Sequence, residues 1–67
     1  MVDAKLIRRL PKGVKEALLV SINRELEKLG NDDGYASEHL GRRLCSMGLT
    51  DNKTVRKEDL EKLRDAI

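Results

Sequence analysis

KGVKEALLVSINRELEKL, residues 12–29, is the stretch on which the fold turns. At about 100° per residue, Val14, Leu18, Leu19, Ile22, Leu26 and Leu29 fall within one arc of a helix. Pro11 stands just before it. Proline is welcome in a first helical turn, but it disfavours helix in the residue that precedes it. Gly30 follows at once and suits a left-handed C-terminal cap. One long helix is therefore predicted over 12–29. Val20 points away from the arc, where a solitary exposed valine is ordinary, though open to a dimer contact.

Outward from this helix the apolar spacing stays helical, and no segment alternates as a strand would. Upstream, Leu6, Ile7 and Leu10 share one side of a short segment, Ala4–Leu10, which Pro11-Lys12-Gly13 interrupts. Downstream, Asn31-Asp32-Asp33-Gly34 is a turn by composition, with side chains able to cap the next helix. That helix is predicted over Tyr35–Met47, with Ala36, Leu40, Leu44 and Met47 as its buried stripe. Glu38 and Arg42 fall four apart on its solvated side, and Gly48 ends it. Residues Leu49–Thr54 read as a loop. A last helix follows over Val55–Ala66, with Leu60, Leu63 and Ile67 facing inward and Glu58 and Asp59 suited to the dipole at its start. The fold class expected is all-α: a compact three-helix bundle with a short additional N-terminal helix.

The 67 residues bound a single small helical domain, 1–67, or a piece of a larger protein. One core of that size supplies roughly 3–5 kcal/mol. With no Trp, no Phe and only Tyr35 among aromatics, the core must be built from Leu, Ile and Val. Cys45 stands alone, which excludes an intramolecular disulfide and makes a cytoplasmic setting the natural expectation. Met1-Val2-Asp3-Ala4-Lys5 lacks the apolar heart of a signal peptide, and no run approaches spanning length, so no membrane is expected as a partner.

Charge is segregated. Residues 1–24 carry +4, residues 25–38 carry −4, residues 39–57 carry +4 and residues 58–67 carry −2, for a formal total of +2. A nearly neutral chain thus hides two basic segments, a pattern that steers a surface toward an anionic partner.

Individual chemistry-bearing residues are sparse. The turn Asn31-Asp32-Asp33-Gly34-Tyr35-Ala36-Ser37 resembles an EF-hand calcium loop. With Gly34 as the central glycine, however, Leu29 and Leu40 occupy the first and twelfth ligand positions and cannot bind a metal. His39 and Cys45 are the only soft ligands, about 120° apart around a helix, so they form neither a zinc site nor a catalytic pair. The five glycines at 13, 30, 34, 41 and 48 are dispersed and make no phosphate cradle. No metal, cofactor or enzymatic activity is expected. Gly41 inside a helix costs ~1 kcal/mol relative to Ala, so a close approach by another helix, or by a ligand, is the expected reason for it, intramolecular packing being favoured.

The segment Leu40-Gly41-Arg42-Arg43-Leu44, closed by Gly48-Leu49 and followed by Lys53-Thr54-Val55-Arg56-Lys57, loosely resembles helix-turn-helix and winged-helix DNA-binding modules. The resemblance covers about a third of the chain, and its inter-helix turn is longer than theirs. It implies that Thr54, Arg56 and Lys57 face a major groove at the start of a second helix. Arg42, Arg43 and Lys53 would hold phosphates, with Arg8, Arg9 and Lys12 as a basic arm. The function expected is a small regulatory protein that binds double-stranded DNA through these residues, as a monomer or a homodimer. The competing expectation is a protein-interaction module, an inhibitor or adaptor that docks on a larger protein by charge complementarity.

Overall fold

Helices form where apolar spacing and punctuation place them. In the computed structural model, which describes residues 4–67, α1 spans Ala4–Arg9, α2 Lys12–Leu29, α3 Glu38–Ser46 and α4 Lys57–Ala66. The chain is all-α, with a short helix leading three longer ones. Its radius of gyration, 10.7 Å, matches the roughly 11 Å of a fully collapsed domain of this length.

Pro11, at φ −57° and ψ 148°, is extended and separates α1 from α2, while its carbonyl accepts the Lys15 N–H at 3.0 Å and so opens the α2 ladder. At the other end the Gly30 N–H donates to Leu26 O at 3.0 Å, and the helix stops. α3 closes by a Schellman arrangement: Gly48 N–H donates to Cys45 O and Leu49 N–H to Leu44 O, both at 3.0 Å. Gly48 holds φ +78°, a conformation that a side chain would strain, and buried Leu44 and Leu49 make the apolar contact that accompanies this motif.

α4 packs against both α2 and α1. The core holds Ile7 from α1, Leu18 and Ile22 from α2, Leu40 and Leu44 from α3, and Leu60 and Leu63 from α4. Leu49 and Val55 complete it from the α3–α4 connection, so the segment read as a loop is also part of the core. Leu26 and Leu29 of α2 pack around this centre half-buried, as do Ala36, Met47 and Ile67, expected on inner faces but lying just outside the helices.

Two helices start later than the sequence predicts. Residues 35–37 are extended, and α3 begins only at Glu38, because Ser37 is its cap: the Ser37 Oγ accepts the Leu40 N–H at 3.4 Å. The asparagine and aspartates of the preceding turn do not cap it. α4 begins at Lys57, after Arg56 at φ −85° and ψ 160°. The reason lies in pairing between distant residues. Ala36 N–H donates to Val55 O at 2.7 Å and Lys57 N–H to Gly34 O at 3.0 Å, forming an antiparallel bridge between Tyr35 and Arg56. These bonds replace the helical ones that residues 35–36 and 55–56 would otherwise make.

The packing separates two aliphatic residues two positions apart on α2. Ile22 is 0% exposed and Val20 is 51% exposed. Ile22→Ala should cost about 2–5 kcal/mol, comparable to the whole stability of a domain this small. Val20→Ala should change stability by less than about 0.5 kcal/mol. Urea denaturation followed by circular dichroism measures both.

Candidate nucleic-acid interface

Leu40, Gly41 and Leu44 are the buried face of α3, so helical geometry turns its other residues outward. His39, Arg42, Arg43 and Ser46, spaced i, i+3, i+4 and i+7, form one exposed stripe. Glu38 is the only acid on this helix, and its carboxylate accepts a hydrogen bond from the Arg42 guanidinium. The remaining basic stripe residue, Arg43, is exposed, as are Arg42 and Lys53.

Lys53 meets α3 through its backbone, on the Gly41 side of the helix. A Cβ built on Gly41 would lie 2.0 Å from the Lys53 carbonyl oxygen and 3.1 Å from its carbon, so the connection after α3 lies directly against the helix at that glycine. The close approach at Gly41 is intramolecular, but it comes from a loop and not from another helix. Two local bonds shape that loop: the Thr54 N–H donates to Asn52 Oδ1 at 2.8 Å, and the Thr50 hydroxyl to Asn52 O at 3.0 Å. Exposed Lys53 thus lies beside α3 at Gly41, about 100° around the helix from Arg42 and about 160° from Arg43.

The groove-facing group expected on the second helix is arranged differently. Thr54 is exposed but belongs to the loop, Arg56 is the cap residue, and only Lys57 lies within α4. The Arg56 guanidinium stands over the Tyr35 ring, 5.8 Å from its centroid. The Lys57 ammonium donates to Gly30 O at 2.5 Å and ties the start of α4 to the end of α2. Glu58 and Asp59 fill the first turn of α4, and the Asp59 carboxylate accepts the Arg56 N–H at 3.5 Å. These acids suit the helix start and oppose a phosphate there.

Arg8, Arg9 and Lys12 are exposed as expected, but not on a loose arm. Arg8 and Arg9 end a helix pinned by Ile7, which is fully buried, and Leu6 approaches the place a side chain would occupy on Gly48 to 3.4 Å. α1 thereby meets the C-terminal end of α3.

One grouping has no signal in the sequence. The Tyr35–Arg56 bridge encloses an open cleft of about 320 Å³ lined by Asp33, Gly34, Tyr35, Arg56, Lys57 and Glu58. Its charges are mixed, two basic and two acidic. Ser37 and Glu25 are likewise joined only by folding: the Ser37 N–H donates to Glu25 Oε1 at 2.7 Å, fastening α2 to the start of α3. Among the described residues no three His, Cys, Asp or Glu side chains gather as metal ligands, and no helix is long and apolar enough to cross a membrane. Cys45 is a half-buried free thiol.

No known protein family, curated protein or solved structure matches this chain.

Gly41→Ala tests how Lys53 is held. A methyl at this site collides with a carbonyl oxygen of the backbone, which cannot rotate aside. The ~1 kcal/mol helix-propensity gain should be outweighed, leaving the variant less stable by about 1–3 kcal/mol. Chemical denaturation gives the sign, and an increase in stability would contradict the close approach.

Proposed function

We propose that this chain is a small double-stranded DNA-binding regulatory module, and that its contact surface is the outer stripe of α3 with the following loop. One observation carries the reading. Arg42 and Arg43 are exposed on the outer stripe of α3, and exposed Lys53, from a different part of the chain, lies with its backbone against the same helix at Gly41. Guanidinium and ammonium groups of this kind hold phosphates, fix register and carry no sequence information by themselves. Arg56 and Lys57, engaged with Tyr35 and Gly30, have lesser parts in this reading, and Arg8, Arg9 and Lys12 form a second basic group on α1 and the start of α2. Duplex is favoured over single strands because base stacking needs aromatic faces, and Tyr35 already lies beneath Arg56.

Three phosphate contacts give a slope of log affinity against log salt of about −3. Arg43→Ala and Lys53→Ala should each weaken binding to a random-sequence duplex a few-fold and reduce that slope by about one, with unchanged thermal unfolding. Fluorescence anisotropy at low and near-physiological salt reads both quantities. Absence of duplex binding by the wild-type chain at low salt would remove the proposal.

A second reading, docking on a larger protein, draws on Val20 and Tyr35, the two large apolar side chains that are well exposed among the described residues. The acidic turn discriminates between the two. Asp32→Lys with Asp33→Lys should strengthen duplex binding at low salt, but weaken docking to a basic protein surface.

A further inference from the structure

The basic stripe of α3 contains its own anion. Glu38 begins the helix, and its carboxylate is ion-paired with Arg42 one turn later. Their side chains are 72% and 62% exposed, so water and salt reach the pair freely, and it is one of the weak, exchangeable kind. Arg43 and Lys53 make no such pair among the described residues, which leaves Arg42 as the one cation of the surface already occupied.

Resting on the duplex-binding reading above, we propose that Glu38 is a built-in brake on this surface: it competes with a phosphate for the Arg42 guanidinium. A phosphate and a carboxylate both engage guanidinium in the same planar, two-pronged way, so Arg42 cannot satisfy the two fully at once. Binding a duplex through Arg42 breaks the Glu38 pair and leaves a carboxylate beside the phosphate backbone. The surface then binds less tightly than its count of basic residues implies. It also gives the pair a direction: a factor that neutralises Glu38 strengthens binding only through Arg42.

A four-protein cycle of wild type, Glu38→Gln, Arg42→Ala and the double variant tests this by anisotropy on a random-sequence duplex at low salt. Glu38→Gln should tighten binding about two- to fivefold, the equivalent of a surface ion pair, and most of this gain should vanish in the Arg42→Ala background. Equal tightening in both backgrounds would show Glu38 acting as a general negative charge and overturn the brake. No tightening, with Arg43→Ala still weakening binding, would overturn the brake and leave the interface standing. No binding by wild type or by Glu38→Gln would overturn the interface and the brake with it. Thermal unfolding of all four proteins checks that α3 is intact. If Glu38→Gln frays the helix, Glu38→Asp keeps the first-turn acid while shortening its reach to Arg42, and should tighten binding in the same direction.

Discussion

Two main-chain hydrogen bonds, Ala36 N–H to Val55 O and Lys57 N–H to Gly34 O, join the connection entering α3 to the connection leaving it. Most of what distinguishes this molecule from a plain bundle follows from that junction. It delays the start of both α3 and α4, brings Arg56 over Tyr35, and accompanies the burial of Val55. With Val55 inside and Leu49 inside at the other end, the intervening backbone has little choice but to lie on α3 at Gly41. A side chain at that position would push the loop away. The glycine, the junction and the two buried loop residues therefore act as one device.

The core compensates for lacking aromatic side chains by drawing aliphatic ones from every element. Each fully buried Leu, Ile or Val contributes about 1.5–3 kcal/mol, so no single helix supplies enough, and even the short α1 matters through Ile7. Polar ties that link the elements run at the periphery, where Glu25 meets the Ser37 N–H and Lys57 meets the Gly30 carbonyl. Both link the C-terminal part of α2 to the start of another helix. Their exposure makes them orienting contacts more than large sources of stability.

Charge on the surface is partly spent on the fold itself. Arg42 pairs with Glu38, Lys62 with Glu58, and Lys57 with a carbonyl. The blocks of charge visible along the chain thus overstate the cationic surface open to a partner. Among the described residues, Arg43 and Lys53 are the exposed basic groups at α3 without such a pairing, so the cationic area is smaller than the residue pattern suggests.

Helical class, the limits of α2 and the inward residues of each helix were legible in the sequence, because they follow from a local period of 3.6 and from Pro11, Gly30 and Gly48. The Glu38–Arg42 pair was legible for the same reason, since four residues along a helix always brings side chains together. Tertiary structure alone decided that residues 35–37 and 55–56 are extended, because their hydrogen-bond partners lie across the fold. It alone set Lys53 against α3 at Gly41 and withdrew Lys57 toward Gly30. Periodicity records which face of an element is apolar. It carries no information on which backbone groups of two distant loops will meet, and on this chain that meeting determines which basic side chains remain available.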